Sequence, residues 1–117
     1  MDSCDLLCLD LDAAEAVRVS LDRARSVAIA AAAKVFSDPT RLLIVQALAQ
    51  QELCGCDLGW VTGQSEKVVS HHLVRLRREG LVEGRRDGKI VFASLTARGR
   101  DLLATIEALA PAEGVKA

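Results

Sequence analysis

Residues 56–95 read CDLGWVTGQSEKVVSHHLVRLRREGLVEGRRDGKIVFASL, and the reading of this stretch decides the fold. A short helix near Cys56 to Val61 should break at Thr62-Gly63, because glycine takes the left-handed conformation that ends helices. Ser65 then stands where a hydroxyl caps a second helix, which runs to about Arg78 and stops at Glu79-Gly80. Beyond Gly80 the apolar period changes. Leu81 to Arg86 and Lys89 to Leu95 flank Asp87-Gly88, a pair that predicts a hairpin with a type I′ turn. Two short helices about a glycine turn, followed by a hairpin, outline a helix-turn-helix with a wing.

The flanks complete the pattern. A helical period starts at about Asp12 and carries Leu21, Ala24, Val27, Ala28, Ala31 and Val35. Ser37-Asp38-Pro39 punctuates it, and a further helix holds Leu42, Leu43, Val45, Ala47 and Leu48. A last helix carries Leu102, Leu103, Ile106 and Leu109 before Pro111. The predicted fold is mainly α with a small β-hairpin, a winged helix-turn-helix acting as a dimer. Residues 1–11 are expected to be an arm, 12–110 the DNA-binding and dimerisation domain, and 111–117 a tail. The dimer follows from the long apolar stripes at Leu21 to Val35 and Leu102 to Leu109, which a 117-residue monomer would struggle to cover.

Composition narrows the function. Alanine and leucine dominate, whereas Phe36, Trp60 and Phe92 are the only aromatic residues, too few for a platform that stacks single-stranded bases. No apolar run approaches the roughly 20 residues that span a bilayer. The acidic start, Met1-Asp2-Ser3-Cys4-Asp5, lacks the basic opening of a secretory signal, so a cytoplasmic location without membrane partners is expected. The overall charge of −1 conceals polarity: residues 1–22 sum to −5 and residues 67–100 to +6. A basic half in so small a chain points to a polyanion.

On a helical wheel, Val69, Leu73 and Leu76 form the buried stripe of residues 66–78, with Val68 and His72 at its flanks. Lys67, Ser70, His71, Val74 and Arg78 face away. Lys67, Ser70 and His71 suit base edges in a major groove, and Arg78 suits phosphate. Arg85, Arg86 and Lys89 cluster around the hairpin tip, placed for backbone phosphate or a minor groove. The expected partner is double-stranded DNA. Adjacent His71 and His72 point about 100° apart and are poorly placed to chelate one ion, unlike an i,i+4 pair.

The cysteines form two close pairs, Cys4-x3-Cys8 in the acidic arm and Cys54-Gly55-Cys56 at the start of the first short helix. Gly55 should ease a bend that turns both sulfurs onto one ion, and the helix N-terminus should favour thiolate over thiol. Cys4 and Cys8 add two ligands if the arm folds across. Four sulfurs select soft ions, Cd(II), Pb(II) or Zn(II), with no organic cofactor implied. The alternative is a thiol-based redox switch. An enzyme is disfavoured, because neither histidine has a context that makes it a base for a cysteine.

Glu52-Leu53-Cys54-Gly55-Cys56-Asp57-Leu58, with Ser70-His71-His72-Leu73 and the Asp87-Gly88 wing, resembles the ArsR/SmtB family of bacterial metal-sensing repressors. With Cys4 and Cys8 added, the chain is most similar to the CadC subgroup, responsive to cadmium and lead. The resemblance implies a homodimer that holds a palindromic operator when metal-free and releases it on binding metal. It also implies sites shared between subunits, with arm cysteines Cys4 and Cys8 of one meeting Cys54 and Cys56 of the other. Two departures stand out. Residues 96–110 contain no histidine, so Asp101 and Glu107 lack the partners of the family's C-terminal zinc site. Leu58 and Gly59 follow Asp57 where arsenic sensors carry a third cysteine.

Overall fold

The computed structural model describes residues 10–111, which fall into two compact units divided after Ala33. The first unit contains α1 (Leu11–Ser20) and most of α2 (Arg23–Val35). The single helical run expected over this region is interrupted: Leu21 is extended at ψ 142°, and the Asp22 carboxylate accepts from Ala24 N at 3.0 Å to start the next helix. Periodicity carried across the break because three- and four-residue steps tolerate one displaced turn, whereas the aspartate cap marks the restart. Leu11, Val17, Val19, Leu21, Val27 and Ile29 are all more than half exposed.

The second unit holds the reading stretch. Asp38 caps α3 (Pro39–Gln50), its carboxylate accepting from Thr40 N at 2.9 Å with Pro39 in the first turn. After α3 come β1 (Leu53–Cys54), α4 (Gly55–Thr62), α5 (Glu66–Arg78), β2 (Val82–Asp87), β3 (Ile90–Leu95) and α6 (Ala97–Glu107). Gly63 closes α4 at φ +71°, and the Ser65 hydroxyl accepts from Val68 N to open α5. The expected helix-turn-helix is therefore present at the expected boundaries. Gly59 lets its turn close, since a Cβ there would stand 2.9 Å from the Gln64 carbonyl oxygen.

The wing differs from expectation in two respects. Asp87 pairs with Ile90, so the two loop residues are Gly88 and Lys89. Among the described residues only glycines take positive φ, Gly88 at +63°, so the turn is not type I′, which needs two such residues. Moreover, the hairpin does not stand alone. β1 joins it to give an antiparallel sheet of order β1-β3-β2, with Leu53 opposite Ala93 and Cys54 opposite Phe92. Two residues are too short a strand to leave a periodic signature.

The core gathers Val35, Ile44, Val45, Leu48, Leu58, Val69, Leu76, Leu81, Val82 and Leu103. Burying side chains of this size contributes roughly 1.5–3 kcal/mol each before entropy is counted. Two polar groups share the interior. The Arg41 guanidinium donates to the Val35 carbonyl at the end of α2, where a cation also meets the negative pole of the helix. His72 is buried with Nε2 3.7 Å from Asp38 Oδ2, and its Nδ1 has no partner among the described residues.

Burial pushes the His72 pKa below the ordinary 6.5, helped by Arg41, His71 and Arg75 and opposed by Asp38. Its folded-state pKa thus lies below its unfolded one, so an acidified solution protonates the unfolded chain first. The stability held by neutral His72 is present above about pH 6.5 and drains as pH falls through the folded value. We expect urea midpoints to drop between pH 7.5 and pH 5, and His72→Gln to flatten that decline. An unchanged slope in the variant would assign the acid sensitivity elsewhere.

Among the described residues, no helix is long and apolar enough to cross a membrane.

Candidate functional site

Helix α5 presents two chemically distinct sides. Val69, His72, Leu73 and Leu76 are buried, while Lys67, Ser70, His71, Val74 and Arg78 are exposed, as the wheel predicts. Val68 lies at the margin with 38% exposure. The His71 and His72 rings meet edge to face at 6.1 Å, one outside and one inside, which is no geometry for sharing an ion. The helix therefore offers hydroxyl, imidazole, ammonium and guanidinium groups outward from a rigid apolar seat.

The wing's cations are not equivalent. Arg85 sends Nη2 and Nε to the two carboxylate oxygens of Glu52, at 2.6 and 3.2 Å, and its guanidinium lies 4.9 Å from the centre of the Phe92 ring. Glu52 keeps its carboxyl below the usual range through this contact, and Arg85 is raised in return. Among the described residues Arg86 and Lys89 form no ion pair, and they stand exposed at the end of the hairpin. Phosphate would thus meet Arg86 and Lys89 unencumbered, but would have to compete with Glu52 for Arg85.

The cysteine pair straddles an element boundary. Cys54 is extended (φ −89°, ψ 172°), is half-buried, and ends β1 as the N-cap of α4. Cys56 is exposed and already helical. Gly55 between them is not needed for the bend: its φ is not positive, and a Cβ there would meet nothing within 4 Å. Each sulfur donates to a carboxylate, Cys54 Sγ to Asp57 Oδ2 at 3.3 Å and Cys56 Sγ to Glu66 Oε1 at 3.1 Å.

The expectation of a favoured thiolate is corrected at Cys56. Its hydrogen bond to Glu66 and that carboxylate's negative charge, followed by burial, Cys54 and Asp57, push the thiol pKa up. Local acids outweigh the helix N-terminus there.

Two soft donors flanked by carboxylates suit part of a thiophilic cation site. Among the described residues, no cluster of three or more His, Cys, Asp or Glu groups could hold an ion. Cys4 and Cys8 lie outside the described residues. A cleft of about 510 Å³ brings the sulfur pair next to exposed groups of α5 and the hairpin, with Cys54, Cys56, Glu66, Ser70, Arg77 and Lys89 among its walls.

Sequence reasoning missed Glu66 and Glu52 in these roles. The Glu52–Arg85 contact spans 33 positions and has no local signal. Glu66 follows a capping serine, so it reads simply as an acid placed to suit a helix N-terminus.

Comparison with known proteins agrees with this architecture. The family described as bacterial regulatory protein, arsR family, matches residues 38–84, from the α3 cap into β2. A transcriptional repressor SmtB homolog of Synechocystis sp. is 42% identical over 98 residues, covering 81% of this chain and 73% of that protein. The cadmium resistance transcriptional regulatory protein CadC of Listeria innocua is 33% identical over 90 residues, covering 76% of each. Among solved structures, the homodimeric winged helix-turn-helix DNA-binding domain of a possible ArsR-family regulator from Mycobacterium bovis superposes with a TM-score of 0.67. It is 27% identical, and the match covers 76% of this chain and 85% of that one. A rigid reading helix beside a basic wing, in a chain so closely related to repressors over most of its length, makes this protein a DNA-binding transcriptional regulator of the ArsR family, not an enzyme.

Proposed function

We propose that this chain is a metal-responsive repressor, bound to operator DNA when metal-free and released when a soft divalent cation, Cd(II), Pb(II) or Zn(II), occupies its cysteine thiolates. The observation that carries the reading is the position of Cys54-Gly55-Cys56 at the junction of β1 and α4. From there the pair reaches the wing through the Cys54–Phe92 pairing and the reading helix through Cys56 and Glu66. The names of its relatives support the same effector class, cadmium in the case of the Listeria protein. Cys4 and Cys8 of the N-terminal arm supply the remaining sulfurs.

The exposed apolar side chains of α1 and α2 support assembly as a homodimer, the state of the M. bovis domain, with each metal site shared between subunits. Metal-binding and DNA-binding conformations of that dimer differ, so occupancy of one site weakens the other. On the DNA side, Lys67, Ser70 and His71 read base edges, while Arg78, Arg85, Arg86 and Lys89 hold phosphate.

The deciding experiment measures operator binding by reduced protein with and without cadmium. Release under reducing conditions is the expected result. Release only after oxidation would instead favour a thiol-based redox regulator. Division of labour on DNA is separately testable. Arg86→Ala should weaken operator and random duplex alike, lowering the log–log salt slope by about 0.9 for one lost phosphate contact. Ser70→Ala should cost about 1–3 kcal/mol on the operator with little effect on random DNA. Equal losses on both duplexes for Ser70→Ala would remove that residue from base reading.

A further inference from the structure

The two sulfurs of the pair have different reach. Cys54, the N-cap of α4, donates to Asp57 three residues on, in the first turn of that helix. Cys56 donates to Glu66, ten residues on and in the next helix, across the turn of the helix-turn-helix. Both Cys56 and Glu66 are exposed, so core packing does not force them together. Glu66 is the first residue of α5; Lys67 follows it, and Ser70 lies one turn further along the same side and in the same cleft.

We propose that Glu66 couples the sulfur pair to the DNA-reading helix, accepting the Cys56 thiol hydrogen in the metal-free protein and losing that contact when the sulfur binds a cation. This rests on the metal reading given above. When a sulfur–metal bond forms at Cys56, the thiol proton passes to solvent and no electrons are exchanged; the sulfur then has no hydrogen for Glu66. The first turn of α5 is thereby untied from α4, and Lys67 and Ser70 lose the orientation the tie imposed. Glu66 is a positioning residue, and its contact is one of the differences between the metal-free and metal-bound states that allosteric coupling requires.

The test compares reduced full-length wild type, Glu66→Ala and Glu66→Gln. Operator affinity is read by fluorescence anisotropy with and without cadmium, and metal occupancy by thiolate-to-metal ultraviolet absorption. Coupling is the ratio of the two operator Kd values, and allosteric proteins typically show about 5–150-fold. Glu66→Ala should fill with cadmium at the wild-type stoichiometry, bind the operator less tightly without metal, and lose most of the ratio. Glu66→Gln keeps an oxygen that accepts the thiol hydrogen and should retain most of it. A wild-type ratio in Glu66→Ala overturns the coupling role. So does a Glu66→Gln as uncoupled as the alanine variant, because charge rather than the hydrogen bond would then be responsible. A wild type that shows neither absorption nor release overturns the metal reading itself, an outcome distinct from failure of Glu66 alone.

Discussion

Replacing both Cys54 and Cys56 by serine should abolish cadmium-driven release while leaving metal-free operator binding nearly intact. The expected loss is the entire coupling, which in allosteric proteins amounts to about 1–3 kcal/mol. Serine preserves size and hydrogen bonding, so the β1–α4 junction and its contacts to Asp57 and Glu66 survive. It does not preserve softness: a hydroxyl oxygen competes poorly for a thiophilic cation. Neither sulfur belongs to α5 or to the hairpin, so the proposed DNA contacts keep their own side chains. The measurement is a cadmium titration of the preformed operator complex under reducing conditions. Normal release by the double variant would remove these sulfurs from the sensor. Loss of metal-free binding would make them structural.

Gly99→Ala should be the most damaging single methyl group in the second unit. Gly99 lies in the first turn of α6, its N–H donating to the capping Thr96 hydroxyl at 3.0 Å. A Cβ there would fall 2.3 Å from the Leu81 carbonyl oxygen and 2.7 Å from Leu95 Cδ1. That carbonyl accepts from Thr96 N at 3.0 Å, and the Thr96 hydroxyl in turn donates to the Gly80 carbonyl. The obstacle is therefore backbone held at several points and has little room to retreat. Overpacking of this kind costs about 3 kcal/mol, a large share of the roughly 5–15 kcal/mol that holds a domain folded. Gly55→Ala is the matched control. It adds a methyl group to open space in a helix and should gain up to about 1 kcal/mol. Urea melts of the two variants should move in opposite directions; a tolerated Gly99→Ala would mean that α6 can slide.

Features encoded locally were legible before any coordinates. The apolar stripe of residues 66–78, the Ser65 cap, Gly63 and the Asp38-Pro39 opening each depend on neighbours within a few positions, and each appears where expected. What escaped depends on residues far apart or on very short elements. β1 is two residues long and exists because β3 offers it an edge. The commitment of Arg85 to Glu52, and of Cys56 to Glu66, arises from chain reversals that no periodicity encodes. The Cys56 thiol illustrates the consequence. Its own helix position argued for thiolate, and a carboxylate from the next helix reversed the balance.

The pairing of Leu53 with Ala93 has a bearing on how the molecule assembles. The β2–β3 hairpin and α5 are built from near neighbours and can form within about ten microseconds. β1 must instead close a loop of roughly forty residues, and such entropy is spent before the contact repays it. We expect α5 and the hairpin to form before β1 docks on β3, with closure of that loop the late event. Reversing the order, we expect the seam beside Cys54 to be the first to open under thermal agitation, while α5 and the hairpin are still formed.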